Sequence, residues 1–290
     1  MRIILTGASG FVGARLKIAL EKSNYEVFAI DRDKVNVYNI SELREHILKN
    51  VKLPFTIVHC AAVSDTKTCE ENKKEAYKAN VIYTKNLADI CSDFSIPLIF
   101  LSSDQVYDYF GEKDHYEYNN PKPTNYYGLT KLWAENAIRE ICPTHHILRL
   151  TWQFDTIRRD VPNKGIIKQI CDTAEQGGVI RQSKKSYRYI TWVNATILYI
   201  MRMIERNVPY GTYNVASVTE MSCYDIYKYT FEAMGMPYKK YLKCDNSMKP
   251  INLTPYPYNL DALGFEIIKY EDTVDNLMKE IEEKMAGENE

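Results

Sequence analysis

The feature that most constrains the fold is a glycine-rich turn near the start of the chain, between a short β-branched run and an amphipathic stretch. The glycines recur at three-residue spacing, at Gly7, Gly10 and Gly13. Gly7 permits a tight turn, Gly10 lets the backbone approach a pyrophosphate, and Gly13 lets the helix pack close to the strand. Backbone N–H groups at a helix N-terminus bind anions, so the turn predicts a dinucleotide site with N–H groups from Phe11 and Val12. A tight strand-to-helix turn without a ligand is the simpler alternative.

The first half of the chain alternates β-branched runs with amphipathic stretches, which is typical of an α/β protein. Strands are predicted at residues 3–5, 27–30, 56–59, 98–101 and 147–150. Apolar residues at helical spacing predict helices between them. Strands that alternate with helices form a parallel sheet covered on both faces, so we expect a doubly wound parallel sheet.

After residue 150 this alternation weakens, and glycine and proline interrupt the chain more often. We predict a dinucleotide-binding domain over residues 1–150 and a smaller, mainly substrate-binding lobe over 151–290. A helix predicted at 194–206 and a strand at 212–215 indicate that the chain returns to the first sheet, completing it by about residues 190–216. The boundary is therefore not one clean cut.

Composition excludes several classes of protein. With 37 basic and 38 acidic residues, the chain has no global field to attract nucleic acid or an anionic membrane, and no apolar run approaches a membrane span. The seven cysteines form no Cys-x-x-Cys pair, and the histidines do not fall at ligand spacing, so we expect reduced thiols and no metal. A cytoplasmic location is the expectation. The oligomeric state stays open, a homodimer included.

Four further residues are predicted to contact the dinucleotide. Asp31 follows the second predicted strand, near the expected distance of about 20 residues for a carboxylate that bonds the adenosine ribose, which favours NAD. Arg32 comes next, and a guanidinium there could pair with the 2′-phosphate of NADP, although a solvated turn residue is an equally good interpretation. Ala61 and Ala62 end the third strand with small side chains, as needed where backbone lies against a cofactor or, equally, in a buried strand end.

A Tyr-x-x-x-Lys motif at Tyr127 and Lys131 predicts a catalytic pair, because four residues along a helix put both side chains on one face. The spacing alone is not specific, since three more copies occur, at Tyr109/Lys113, Tyr118/Lys122 and Tyr224/Lys228. Glycine interrupts the first copy and proline the second, while the third is predicted on an outer helix of the smaller lobe. Only the copy at 127 opens a strong predicted helix after a strand that ends in serines.

That strand ends in Ser102 and Ser103, at the edge where open α/β sheets bind ligands. It belongs to a longer pattern, Ser-Ser-Asp-x-Val-Tyr, then Tyr116-Glu117, Pro121, Pro123, Tyr-Gly-x-Thr-Lys and Glu135. With the Gly-x-x-Gly-x-x-Gly turn, the pattern resembles the extended short-chain dehydrogenase/reductase superfamily. Within it, the dTDP-4-dehydrorhamnose reductase family is the most similar, over most of the chain and more weakly after Thr151.

This resemblance implies a Rossmann fold, NADP or NAD as cofactor, and a sugar nucleotide as substrate. Reduction of a ketone needs a proton donor at the carbonyl oxygen, and Tyr127 takes that role in the resemblance. Lys131 is expected to lower the pKa of Tyr127 from about 10 and to bond the nicotinamide ribose. Ser103 corresponds to the catalytic serine or threonine that holds the carbonyl, although taken alone a serine in this place is better interpreted as a turn or N-cap residue.

The substrate contacts implied are Ser103, Asp104, Tyr127 and Trp152, and Trp152 is equally well interpreted as a core aromatic. A basic cluster could receive the substrate diphosphate, but a solvated charged loop is the simpler interpretation of Arg181, Lys184, Lys185 and Arg188.

The expected activity is NAD(P)H-dependent reduction of a 4-keto sugar nucleotide. One alternative is a 4-epimerase or dehydratase; Gln105 stands where the related 4,6-dehydratases carry a glutamate base, and a glutamine cannot take a proton. The other is a non-catalytic dinucleotide-binding regulatory subunit, since the β subunit of methionine adenosyltransferase also resembles these reductases.

Overall fold

The computed structural model describes residues 1–111, 114–205 and 208–287. Lys113 of one Tyr-x-x-x-Lys copy and Arg206 at the end of a predicted helix lie outside them. The strands are β1 (Arg2–Thr6), β2 (Glu26–Ile30), β3 (Phe55–His59), β4 (Leu98–Ser103), β5 (His145–Leu150), β6 (Trp152–Phe154), β7 (Ile180–Gln182), β8 (Tyr187–Arg188), β9 (Ile190–Trp192), β10 (Gly211–Val215), β11 (Leu242–Cys244) and β12 (Asn252–Leu253).

The helices alternate with these strands along the first half of the chain. They are α1 (Phe11–Lys22), α2 (Ile40–Asn50), α3 (Thr66–Glu71), α4 (Lys73–Tyr77), α5 (Tyr83–Asp93), α6 (Tyr126–Ile141), α7 (Ile166–Glu175), α8 (Val193–Glu205), α9 (Cys223–Ala233), α10 (Tyr238–Tyr241), α11 (Tyr258–Ala262) and α12 (Tyr270–Gly287). A π-helical turn, Lys78–Ile82, joins α4 to α5, and a 3₁₀ turn, Asp104–Val106, follows β4. None of the helices in the described ranges is both long enough and apolar enough to cross a membrane.

Within the described residues, six strands form one parallel sheet in the order β10-β5-β4-β3-β1-β2. β1 lies between β2 and β3, with Thr6 at its carboxyl end opposite Ile30 and His59. Each of the five strands predicted in the first half lies within two residues of its observed bounds. The predicted α/β fold with a doubly wound parallel sheet is confirmed.

Hydrophobic layers cover both faces of the sheet. α1 and α8 pack together on one face, through residues such as Leu16 and Ile200. α2, α5 and α6 cover the other face, through residues such as Leu87 and Ile138. Because helices lie on both sides, β3 and β4 are buried over their whole length and show no alternation of polar and apolar residues.

The second half of the chain builds a separate hydrophobic core around Phe154, Ile170, Phe231 and Tyr270. Short parallel pairs, β6 with β9, β7 with β11 and β8 with β12, hold this part together. The chain also returns to the central sheet, where β10 pairs with β5 at the place predicted for residues 212–215. The division into domains at residue 150 stays a prediction.

The glycine turn is built by close approach of backbone to backbone. Gly7 has a φ of +67°, and a Cβ there would lie 2.7 Å from the Ala61 nitrogen. A Cβ on Gly13 would lie 2.1 Å from the Gly7 carbonyl oxygen. Real Cβ atoms do not come so close to backbone, so the first turn of α1 can approach β1 only because these positions carry no side chain.

We therefore expect Gly13→Ala to lower the free energy of unfolding by about 1–3 kcal/mol, because the added methyl group forces α1 away from the turn. Gly178→Ala is the matched control, since a Cβ there would meet Thr173 at an ordinary 3.5 Å. Urea denaturation followed by circular dichroism measures both. Equal stability of the two variants would contradict the packing role of Gly13.

Candidate active site

A cleft of about 1380 Å³ opens at the carboxyl ends of the central strands, where β4 and β5 meet the C-terminal part of the chain. The glycine turn and the start of α1 line one side, and β6 with the start of α7 lines the other. The predicted catalytic and substrate residues all line this cleft: Ser103, Asp104, Tyr127, Lys131 and Trp152. The fold thus brings together side chains that lie up to 49 positions apart.

A second pocket of about 490 Å³ adjoins the cleft and shares Gly10, Cys60 and Ala62 with it. Gly7, Asp31, Arg32 and Ala61 also line it. Asp31 and Arg32 are exposed at its mouth, directly after β2. The residues predicted to bind the two halves of a dinucleotide therefore border two adjoining spaces, one on each side of the glycine turn.

The residues of the turn fit a diphosphate. α1 begins after Gly10, and of the described side chains none caps its first turn and none there is acidic. By contrast, Asn125 caps α6 and Ser222 caps α9. Uncapped N–H groups at the positive end of a helix dipole, at the wall of a cleft, favour an anion.

Ser103 is both the last residue of β4 and the N-cap of the 3₁₀ turn that follows it. Its Oγ accepts a hydrogen bond from the Gln105 backbone nitrogen at 3.2 Å and donates one to Asp104 Oδ1 at 3.0 Å. The hydroxyl also lies close enough to Tyr127 to lower the pKa of the phenol. This buried hydroxyl therefore has the turn role, and its catalytic role stays a prediction.

Tyr127 is placed by the way α6 begins. Asn125 Oδ1 accepts from the Gly128 nitrogen at 2.8 Å, and Asn125 Nδ2 donates to Gln105 Oε1 at 2.7 Å. Gly128 lets the helix approach the turn after β4, since a Cβ there would lie 2.0 Å from the Gln105 carbonyl oxygen. Tyr127 and Lys131 are then held on one face of α6, next to Ser103.

The pKa of Tyr127 shifts in the direction opposite to the prediction. Burial raises it well above its usual value, the hydrogen bond with Ser103 lowers it by less, and the carboxylate of Asp104 raises it further. The expectation that Lys131 lowers this pKa is wrong for this structure, because desolvation outweighs neighbouring charges. Lys131 lies with its Nζ 4.1 Å above the Phe100 ring, and burial lowers its own pKa to about 7.

Asn80 does not line the cleft but bonds residues next to it, and the sequence analysis did not single it out. It lies in the π-helical turn, and its side chain accepts from the Val63 nitrogen at 2.8 Å and donates to the Val63 carbonyl at 3.0 Å. Its Nδ2 also donates to Thr130 Oγ1 at 3.0 Å, next to Lys131. The pairing of Asn80 with Val63 has no local signal in the sequence, and the π-helical turn that holds Asn80 is of a kind that often occurs at functional sites.

A buried ion pair lies next to the predicted catalytic residues. Glu135, one turn after Lys131, accepts from Arg149 Nε at 3.0 Å and from its terminal nitrogen at 2.8 Å. Ser102 Oγ donates to the same carboxylate at 2.6 Å. Burial alone would raise the pKa of Glu135, but Arg149 and these hydrogen bonds hold it below its usual value.

Arg188 corrects the interpretation of the basic cluster. Lys184, Lys185 and Arg181 are exposed as expected, but the Arg188 guanidinium lies in the cleft, 3.6 Å from Asp104 Oδ2 and 5.6 Å from the centre of the Trp152 ring. Among the described atoms, neither Arg188 Nε nor Asp104 Oδ2 has a hydrogen-bond partner. The solvated-loop interpretation is wrong for this one residue, which offers a cation to a ligand of the cleft.

Comparison with known proteins gives one matching family and several relatives. A model of the RmlD substrate binding domain family matches residues 1–262. The chain is 23% identical to dTDP-4-dehydrorhamnose reductase of Mycolicibacterium smegmatis over 86% of its length and 74% of that protein. It is 28% identical to dTDP-4-keto-6-deoxy-D-glucose reductase of Streptomyces niveus, over 81% of this chain and 79% of that one. Methionine adenosyltransferase 2 subunit beta of Rattus norvegicus is 34% identical, but over only 48% of this chain and 43% of its own length.

The fold is shared with solved structures of dTDP-4-dehydrorhamnose reductases. The crystal structure of dTDP-4-dehydrorhamnose reductase from Bacillus anthracis in complex with NADP superposes with a TM-score of 0.84 and 23% identity, covering 96% of this chain and 98% of that one. The likeness therefore includes the C-terminal part as well as the central sheet.

The buried ion pair between Glu135 and Arg149 should contribute to the stability of the fold. We expect Arg149→Met to lower the free energy of unfolding at pH 7 by about 3–5 kcal/mol, because it leaves the Glu135 carboxylate buried without its main partner. Arg139→Met is the control: this arginine also bonds Glu135, at 2.7 Å, but its side chain is 35% exposed, so the loss should stay within about 1 kcal/mol.

Urea denaturation at several pH values measures both variants. Because the folded pKa of Glu135 is depressed, its contribution is present above the unfolded pKa and is lost as pH falls through the folded pKa. The difference between wild type and Arg149→Met should therefore shrink in acid, and a difference that is constant or grows in acid would count against the ion pair.

Proposed function

The chain belongs to the RmlD substrate binding domain family, and from that membership we propose that it is an NAD(P)H-dependent reductase of a 4-keto sugar nucleotide. The observation that carries the proposal is the cleft itself. Ser103 and the protonated Tyr127 hydroxyl lie at the carboxyl end of β4, and the uncapped glycine turn lines the same space.

The dinucleotide is held by residues on both sides of the glycine turn: Gly7, Gly10, Phe11, Val12, Gly13, Asp31, Arg32, Ala61, Ala62 and Lys131. When bound, the reduced nicotinamide ring supplies the two electrons and one hydrogen that the carbonyl carbon gains. Asp31 accepts hydrogen bonds from ribose hydroxyls, and Arg32 pairs with a 2′-phosphate, so NAD and NADP are both proposed.

The chain's own residues supply the proton and the geometry. Tyr127 donates its phenolic proton to the carbonyl oxygen, and its raised pKa keeps that proton in place until the oxygen becomes basic. Ser103 hydrogen-bonds the same oxygen and so fixes its distance from Tyr127. The Lys131 ammonium stabilises the negative charge that Tyr127 acquires.

Substrate recognition uses the opposite wall of the cleft. Asp104 accepts hydrogen bonds from sugar hydroxyls, since it lines the cleft and its Oδ2, 3.6 Å from Arg188, has no hydrogen-bond donor among the described atoms. Trp152 offers a half-buried aromatic face to the sugar ring. Arg188 pairs with the diphosphate of the nucleotide, whose charge it matches.

A regulatory subunit is the second candidate, and one observation favours it. The methionine adenosyltransferase 2 subunit beta shares 34% identity with this chain over 146 residues. Ser103, Tyr127 and Lys131 in one cleft favour the enzyme instead. A cytoplasmic location and a homodimer stay predictions.

The test is the oxidation of NADPH and NADH with dTDP-4-dehydro-6-deoxy-L-mannose, followed by the absorbance of the reduced cofactor. We expect Tyr127→Phe to lower kcat at least about 100-fold, because the proton donor is lost, while dinucleotide affinity is kept. Tyr126→Phe is the matched control, since this neighbouring tyrosine packs on Trp133, 5.9 Å between ring centres, and does not line the cleft.

Two outcomes would decide against the proposal. A folded wild-type protein that binds the dinucleotide but oxidises none of it with 4-keto sugar nucleotides favours the regulatory subunit. Full activity of Tyr127→Phe would instead exclude this residue as the donor.

The pH dependence follows from the lowered pKa of Lys131. As pH rises through about 7 the ammonium loses its proton, so kcat/KM for the sugar nucleotide should fall above this value. Tyr127 does not set this limb, because its pKa is raised. Lys131→Arg keeps the charge and should remove the decline, whereas a wild-type profile that stays flat up to pH 9 would show that the Lys131 charge is not needed.

A further inference from the structure

The segment that joins β6 to α7 comprises residues 155–165 and reaches the cleft at its end. We call this segment the strap. Its last residues, Pro162, Asn163, Lys164 and Gly165, line the same space as Gly10 to Gly13. Hydrogen bonds to α1 fix the position of the strap relative to the glycine turn.

The strap is anchored to the helix that follows the glycine turn. Arg15 of α1 is 2% exposed, and its Nε donates to Asp155 Oδ2 at 2.6 Å. A terminal nitrogen of Arg15 donates to the Phe11 carbonyl at 3.0 Å and to the Pro162 carbonyl at 2.8 Å. Trp192 Nε1 donates to Asp155 Oδ1 at 2.9 Å. One buried guanidinium thus fixes both the start and the end of the strap to α1.

The strap also has a defined shape of its own. Asn163 Oδ1 accepts from the Arg158 nitrogen at 2.9 Å, and Asn163 Nδ2 donates to the Arg158 carbonyl at 2.6 Å. Gly165 has a φ of +92°, and a Cβ there would lie 2.5 Å from the Phe154 Cβ. Lys164 lies between these two fixed residues, so its backbone position is set by the fold.

Lys164 is a cation without a close counter-ion. Its Nζ lies 3.5 Å from Ser64 Oγ, across the cleft, and of the carboxylates in the described ranges none lies within 4 Å of it. The pKa of Asp65 is lowered mainly by hydrogen bonds with Thr68 and only slightly by Lys164. Two other lysines of the cleft are already paired, Lys67 with Glu71 and Lys168 with Asp172. The remaining one, Lys131, is buried over the Phe100 ring.

We propose that Lys164 binds the pyrophosphate of the nicotinamide dinucleotide, opposite Gly10 to Gly13, and that the Arg15–Asp155 anchor holds it there. The proposal rests on the dinucleotide binding of the proposed function. A pyrophosphate carries two negative charges, and a helix N-terminus supplies only about half of one positive charge. An unpaired ammonium on the facing wall supplies the charge that the turn lacks.

The test measures dissociation constants of NADPH and NADH by nucleotide fluorescence, without substrate or turnover. Lys164→Ala should weaken both about tenfold and by the same factor, because the pyrophosphate is common to both. Lys164→Arg should retain near wild-type affinity, and the effect of the alanine should shrink in 0.5 M salt, a concentration at which the Debye length falls to a few ångströms (about 4 Å). Lys228→Ala on α9 is the charge-matched control, paired with Glu232 at 3.8 Å and absent from the lining of the cleft.

The outcomes separate this proposal from the one it rests on. Wild-type protein that binds neither dinucleotide contradicts the proposed function and this inference together. Wild-type protein that binds both, with Lys164→Ala unchanged, overturns this inference alone, as does a loss confined to NADPH, which would place Lys164 at the 2′-phosphate. Asp155→Asn, checked for folding by circular dichroism, should weaken the binding of both dinucleotides. Unchanged affinity would show that the Arg15–Asp155 anchor does not position Lys164.

Discussion

The geometry of the whole site depends on the buried ion pair between Glu135 and Arg149. Glu135 lies on α6 one turn beyond Lys131, and the carboxylate is bonded by Ser102, the residue before Ser103. Because a helix is rigid over two turns, fixing Glu135 against β4 and β5 also fixes Tyr127 and Lys131 relative to Ser103. Burying a carboxylate is costly, but the donors that surround this one offset the cost and leave a single arrangement favoured.

Burial has opposite effects on the two titratable groups of α6. It raises the pKa of Tyr127, so the phenol holds its proton at neutral pH, and it lowers the pKa of Lys131 to about 7, so the ammonium is easily lost. A protonated phenol suits a reaction that consumes a proton at a carbonyl oxygen. The reverse oxidation needs a phenolate instead, which this environment disfavours. The raised pKa of Tyr127 therefore suits the role of proton donor.

The sequence predicted the features that short contiguous motifs encode. It did not predict the contacts between residues that are distant along the chain. The glycine turn, the strand ending in Ser103 and the helix opening at Tyr127 are each local, and their predicted positions agree with the structure. Asn80 acts on Val63, and Arg15 meets Asp155 140 positions away, so neither pairing has a local signal. The predicted direction of the Tyr127 pKa shift was wrong for the same reason, since burial is a property of the assembled cleft. The roles of the site residues stay predictions.

Gln105 favours reduction over dehydration, because a glutamine cannot act as the carbon base that dehydration needs. Its side-chain oxygen accepts from Asn125 at 2.7 Å and so ties the turn after β4 to the start of α6. An amide in this place orients Tyr127 but takes no proton. Dehydration would need Asp104 as its carbon base, but Asp104 already accepts the Ser103 hydroxyl and faces Arg188. Burial raises the pKa of Asp104, against the pull of Arg188, but a carboxylate engaged by both neighbours is poorly placed to abstract a proton from carbon. Carbonyl reduction needs one proton donor and no carbon base, which matches the side chains at the end of β4 and the start of α6.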